Sequence, residues 1–201
     1  MPLPESLSSC ELPLQGAFNT LTSCFSQGGK LLVCGNGGSA ADADHIVGEL
    51  VKSFEKERPL DNLLKGNLAA FGDVGEEMSK KLQGGVPAIS LCAHTALLTA
   101  VINDIGAEMI FAQQVIGFGK PEDVLLGIST SGNSQNVLLA GLAAKAKGMT
   151  TIALTGGSGG KMAELFDICI KAPSLQTACI QDFHSVIYHE LCRLIENFFW
   201  K

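Results

Sequence analysis

The sequence predicts an α/β protein: a three-layer, doubly wound arrangement in which a parallel five-stranded sheet is covered by helices on both faces. Three observations lead there. Short apolar runs of strand length alternate with stretches of helical spacing from Leu31 onward, the pattern of successive strand–helix units. The runs are continuously hydrophobic rather than alternating, as in strands buried on both sides. Two of them end in loops of small residues, Gly35 to Ser39 and Ser129 to Ser134, each followed by a helix. No repeat of solenoid period competes with this reading.

Residues 12–25 carry apolar side chains at helical spacing and stop at Gln27-Gly28-Gly29, a helix C-terminal signal. Residues 31–34 form the first strand. A helix runs from Ser39 through His45 and Glu49, and Arg58-Pro59 closes it. Residues 61–85 break the alternation: Leu63, Leu64, Leu68, Phe71, Val74, Met78 and Leu82 are separated by charges and glycines. They read as one or two short amphipathic helices inserted into the fold. Strands follow at 87–92, 124–128, 151–154 and 168–170, and helices at 95–103, 108–118, 137–147, 162–166 and 177–198.

A chain of 201 residues fits a single domain over 1–201, carrying the insert at about 61–85. The net charge of −6 argues against a nucleic-acid partner, so any anionic ligand is held locally. No apolar run reaches the length of a membrane span, and the first ten residues lack the basic start and apolar core of a secretory signal. A soluble, cytoplasmic protein without a membrane partner is expected. The seven cysteines are odd in number and form no C-x-x-C pair, which points to buried free thiols.

The two loops carry the chemistry. Glycines let backbone N–H groups approach a ligand, and a helix N-terminus adds unpaired donors and a positive dipole end, so Gly35-Asn36-Gly37-Gly38-Ser39 is suited to an anion. Taken alone, it could equally be a tight strand-to-helix turn. Ser129-Thr130-Ser131-Gly132-Asn133-Ser134 offers four hydroxyls where a simple helix cap needs one or two. In a sheet of order 2-1-3-4-5, assumed here as the common architecture, strands one and three flank the switch point, and one pocket can use both loops. His45 and Glu49 lie at i and i+4 and share a helix face. His189 lies eight residues after Gln181, about 12 Å along a straight helix. The two reach one centre only by leaning together; otherwise they serve different sites, or one serves a neighbouring chain.

These stretches resemble the sedoheptulose 7-phosphate isomerase (phosphoheptose isomerase) family of sugar isomerase (SIS) domains. The matching residues are Cys34 to Ser39, Asp42, His45 through Glu49, Glu57-Arg58-Pro59, Asn103-Asp104, Asp123 to Ser134, Leu154 to Gly156, Gly159 to Lys161, and Ile180-Gln181 to His189. The resemblance spans roughly residues 12–197 apart from the insert. It implies a flavodoxin-like strand order and a homotetramer with active sites at subunit interfaces. It also implies a sugar phosphate held by Asn36, Gly37, Gly38, Ser39, Asp104, Ser129, Thr130, Ser131, Ser134 and Gln181. Glu49 and His189 would be the catalytic pair, and His45, Glu49, Gln181 and His189 the shell of a divalent metal of the zinc type. A glutamate that is both ligand and base is an awkward assignment.

The chain departs from the family pattern in four places. About ten residues stand where the family has a further N-terminal helix, 61–85 is extra, Ala178 replaces an aspartate, and Ser53 replaces an arginine. The implied reaction is ketose-to-aldose isomerisation through an enediol. A non-catalytic SIS-domain binding protein of the replication-initiator-associated type, and an isomerase or sensor of another phosphosugar, are the alternatives.

Overall fold

Five apolar runs become five parallel strands in the computed structural model, which describes residues 3–200. They are β1 (Leu31–Gly35), β2 (Ala88–Ser90), β3 (Val124–Ser129), β4 (Thr150–Gly156) and β5 (Ile168–Ala172). Their order is β2-β1-β3-β4-β5, the assumed doubly wound order. Met1, Pro2 and Lys201 lie outside the described residues, so the ends of the 1–201 domain range do as well.

Side-chain alternation along the strands divides the core between the two faces. Leu31, Val33, Leu126 and Ile128 point to one layer, where they meet Leu21, Ile46, Leu50, Ile187 and Leu191. These come from α1 (Glu11–Ser26), α2 (Gly38–Val51) and α9 (Thr177–Phe199). Leu32, Cys34 and Leu125 point to the other, against Phe111, Val115, Val137 and Phe166. Burying each such side chain stabilises the fold by roughly 1.5–3 kcal/mol before entropy is counted. That second layer includes α6 (Ile110–Phe118) and α7 (Gln135–Ala146), with α5 (Thr95–Asp104) preceding them and the short α8 (Met162–Leu165) following.

β2 is shorter than the expected 87–92. It is an edge strand, and after Ser90 the chain turns, with the Cys92 N–H donating to Ser90 Oγ at 3.2 Å. Ahead of α1 the chain forms a six-residue 3-10 helix, Glu5–Cys10, whose Leu7 and Cys10 are buried.

The 61–85 segment folds as α3 (Asn62–Ala69) and α4 (Asp73–Lys81), two helices that pack on one another. Asp61 caps α3 by accepting from the Leu64 N–H. No residue of α3 is buried, and Leu63, Phe71 and Val74 are 76%, 80% and 68% exposed. Their apolar spacing therefore does not feed the core. At its base the segment is tied by a Pro59–Gln83 bridge and by the Ser53 N–H donating to Gln83 Oε1.

α2 and α9 run side by side in the same direction. Gly38 faces Gln181, His45 faces Tyr188 seven residues further along each helix, and the loop after α2 meets Glu196. Among the described residues no helix is long and apolar enough to cross a membrane, and all seven cysteines are free.

Candidate active site

The exits of β1 and β3 are neighbours, because Gly35 pairs with Ile128 in the parallel register. The β1 loop turns into α2 with the Ser39 N–H donating to the Asn36 carbonyl at 3.0 Å, and Ser39 is buried. The two loops are clamped by a reciprocal amide pair, in which Asn36 and Asn136 each donate to the other at 2.9 Å.

In the β3 loop, Ser129 Oγ lies 2.8 Å from Ser134 Oγ and 3.5 Å from Ser131 Oγ. Ser134 occupies the N-cap position of α7 yet makes no side-chain cap bond, so its hydroxyl is not spent on capping. Gly132 has φ +66°, and a Cβ there would lie 2.1 Å from the Gly159 carbonyl oxygen. Only glycine allows this loop to nest against the loop after β4.

A cavity of about 250 Å³ opens beside the hydroxyl loop, lined by Thr130, Ser131, Asn133, Ser158, Ser174 and Thr177 among others. The last three escaped the sequence reading. Thr177 begins the last helix, and only the position of β4 beside β3 shows that it and Ser158 join the same opening.

The acid–base groups lie on the facing surfaces of α2 and α9. His45 Nε2 is 3.1 Å from Glu49 Oε1, and His45 Nδ1 is 3.0 Å from the Tyr188 hydroxyl. The His189 ring meets His45 edge to face at 4.9 Å and stacks on Phe54 at 5.6 Å. Burial lowers the His189 pKa, and neighbouring His45 adds to that. Burial raises the Asp42 pKa. The Tyr188 phenol is pushed up to about 12, first by burial and then by Asp42.

Gln181 stands apart from this group, near the N-terminus of α2. A Cβ on Gly38 would lie 2.3 Å from Gln181 Nε2, so glycine there makes room for the amide. His189 and Gln181 keep the helical separation expected from their spacing. Asp104, at the exposed end of α5, accepts from Asn103 at 2.7 Å. Among the described residues no hydrogen bond or ion pair joins it to α2 or α9. His184 is a core residue whose Nε2–H donates to the Thr155 carbonyl at 3.1 Å.

Whether these residues suit a divalent ion depends on donor type and spacing. Two imidazoles, a carboxylate and an amide oxygen are donors a zinc-type ion accepts. The 3.1 Å between His45 Nε2 and Glu49 Oε1 is close to the separation of two tetrahedral ligands with bonds of about 2.0–2.1 Å. Among the described residues, no three His, Cys, Asp or Glu side chains are arranged to hold an ion. His45 and Glu49 thus form a fitting pair, with His189 adjoining.

The fold and these loops define a doubly wound α/β protein with two polar, glycine- and hydroxyl-rich loops at its switch point and a cluster of ionisable groups on α2 and α9. Comparison with known proteins agrees. The SIS domain family model matches residues 5–156. The phosphoheptose isomerase of Rhodospirillum rubrum is 42% identical over 191 residues, covering 95% of this chain and 88% of that protein. The solved phosphoheptose isomerases of Francisella tularensis and Neisseria gonorrhoeae are 36% and 35% identical, with TM-scores of 0.80 and 0.77; each match covers 96% of this chain and 90% of the other. The chain belongs to the phosphoheptose isomerase family of SIS domains.

Proposed function

We propose that the protein interconverts a ketose phosphate and an aldose phosphate through an enediol, the pair being sedoheptulose 7-phosphate and D-glycero-D-manno-heptose 7-phosphate. The observation that carries this reading is the meeting of Glu49, His45 and His189 on the facing helices α2 and α9, with α2 beginning at the Gly35–Ser39 loop beside the exit of β3. Ser39 and His45 are six residues apart, about 9 Å along α2, which suits an open-chain sugar phosphate laid along the helix.

In this reading the hydroxyls of Ser39, Ser129, Thr130, Ser131 and Ser134, with the backbone of Asn36, Gly37 and Gly38, take the phosphate. That remote contact fixes the open chain for reaction. Glu49 removes a proton from C1 of the ketose and returns it to C2. His189 moves the hydroxyl proton from O1 to O2, so the net change is one aldehyde for one ketone. A zinc-type ion would be held by His45 and Glu49, with the adjoining His189 as a further donor, and would polarise the sugar carbonyl; Gln181, beside Gly38, lies about 10 Å along α2 from His45 and would join such a shell only from a neighbouring chain. Glu49 cannot be ligand and base through the same oxygen, so the two roles divide between its carboxylate oxygens.

The chain is further proposed to be a single SIS domain with 61–85 as an insertion, which the mutual packing of α3 and α4 supports. A homotetramer with its active sites at subunit interfaces accounts for the isolation of Asp104, which exposed Ile102 and Ile105 flank. The seven free cysteines support a cytoplasmic location. A non-catalytic binding role leaves the Glu49, His45 and His189 cluster without a task.

The test is turnover of sedoheptulose 7-phosphate by Glu49→Gln and His189→Ala. Each removes a proton-transfer group and leaves the phosphate loops, so kcat falls at least about 100-fold with little change in KM. Wild-type turnover in both variants would remove the assigned mechanism.

A further inference from the structure

The His189 ring is held by other rings. Among the described residues no hydrogen bond reaches either of its nitrogens. Its neighbours, between ring centroids, are Tyr188 at 4.7 Å, His45 at 4.9 Å and Phe54 at 5.6 Å. Tyr188 and His45 meet it at steep angles of 69° and 79°, whereas Phe54 lies 21° from parallel and covers a face. Tyr188 is its neighbour in α9 and His45 stands on α2. Phe54 comes from the loop after α2, so the orientation of the imidazole depends on where that loop sits.

The loop is anchored on both sides of Phe54. Before it, the Ser53 N–H donates to Gln83 Oε1 at 3.1 Å. Phe54, Glu55 and Lys56 then donate their N–H groups to the carboxylate of Glu196 at 3.0, 2.9 and 3.1 Å. Arg193, four residues after His189 and so on the same face of α9, donates from Nε and Nη2 to the two carboxylate oxygens of Glu55 at 2.8 Å each. A two-bonded fork of this kind fixes direction as well as distance. We propose that the 53–56 loop is a clamp and Phe54 a positioning residue, which holds the His189 imidazole turned toward His45. The clamp follows from these contacts; the use of the held ring in proton transfer rests on the function proposed above. A ring free to turn away would carry its nitrogens off the substrate, and a misplacement of about 1 Å costs on the order of 100-fold in rate. Phe54 also packs against the core, so the competing explanation is simple packing. Phe54→Leu separates the two, because it keeps apolar bulk and removes the flat face, which Phe54→Tyr retains.

The experiment uses the full chain with ¹³C-labelled histidine, studied with chelator present at an alkaline pH that keeps the imidazoles neutral. Cross-relaxation between the ring protons of His45 and His189 reads their contact, the signals being assigned by their loss in His45→Ala and His189→Ala. Wild type and Phe54→Tyr are expected to show the cross-peak, and Phe54→Leu to lose most of it. In turnover of sedoheptulose 7-phosphate by the protein as purified, kcat of Phe54→Leu is expected to fall about 10- to 100-fold with KM little changed, while Phe54→Tyr stays near wild type. Arg193→Gln, which opens the fork and leaves the phenyl ring, gives a smaller loss of both cross-peak and kcat and serves if the leucine variant does not fold. A cross-peak absent from wild type, or undiminished in the variants that loosen the clamp, overturns the proposal. Wild-type kcat in Phe54→Leu, or an equal loss in Phe54→Tyr, removes the positioning role. If wild type turns over no sugar phosphate, the proposed function fails and the cross-peak by itself decides the clamp.

Discussion

In the proposed reaction, single side chains divide the site into a part that holds and a part that reacts. Ser39 and Ser129 are buried, small and placed at adjacent strand exits; replacing either with alanine should raise KM for the sugar phosphate several-fold and leave kcat within a factor of a few. Steady-state kinetics on both variants reads that split, and a kcat-only effect would move these residues out of phosphate binding. His45→Ala should lower the zinc content of protein purified without chelator, measured by elemental analysis, and equal metal in variant and wild type would remove His45 as a ligand. Much of this was legible in residue type and spacing: His45 and Glu49 at i and i+4 do meet. Tyr188 was not, because Ile180, Ile187, Leu191 and Ile195 give it the apolar spacing of an ordinary core face. Its hydroxyl gains meaning only from the helix opposite, which lies 143 residues away in the chain.

At the level of elements, α2 and α9 form the frame of the site, and a buried ion pair locks their far ends. Arg58 Nε donates to Glu196 Oε1 at 2.7 Å, both side chains being 1% exposed. Its other nitrogens donate to the carbonyls of Leu50 and Glu49 at the end of α2. Glu196 also accepts from the backbone of Phe54, Glu55 and Lys56. Burial alone would raise the Glu196 pKa, but these donors and Arg58 bring it below the ordinary carboxylate value of 4.5. Its contribution to stability is therefore full above about that value and is lost as pH falls through the lower folded-state pKa. Acid unfolding followed by circular dichroism should show this loss in wild type and a flatter profile in Glu196→Gln. Arg58→Ala leaves a buried carboxylate uncompensated and should cost about 3–5 kcal/mol in denaturant unfolding; a loss below about 1 kcal/mol would contradict the lock. The α3–α4 pair is the opposite case. Its residues were read as short amphipathic helices and are so, but nothing in their spacing showed that their apolar faces stay largely exposed. Hydrogen exchange should find its amides opening more readily than those of α2 and α9, and equal protection would mean that the pair is covered.

For the whole molecule, the sheet order β2-β1-β3-β4-β5 is what brings two loops distant in the chain to adjacent strand exits. The alternation of apolar strands and helices made the fold class readable, and the loop compositions marked the end of the sheet where phosphate binding is proposed. The order itself had to be assumed, since pairing between strands some 90 residues apart leaves no local trace. Ser158, Ser174 and Thr177 went unread for the same reason. Ser53, noted as a departure, is now seen to serve the junction between the α2 loop and the insertion: its Oγ accepts from the Arg58 N–H at 3.1 Å, and its own N–H reaches Gln83. Two of the departures from the family pattern are thus joined in one place. The central claim is proton transfer through an enediol on a sugar phosphate, and the most direct measurement is to incubate the protein with sedoheptulose 7-phosphate in D₂O and follow the products by NMR and mass spectrometry. The account predicts an aldose heptose 7-phosphate carrying solvent deuterium at C2, with this incorporation lost in Glu49→Gln. Unchanged ketose with no exchange at C1, from folded protein supplied with zinc, would contradict it.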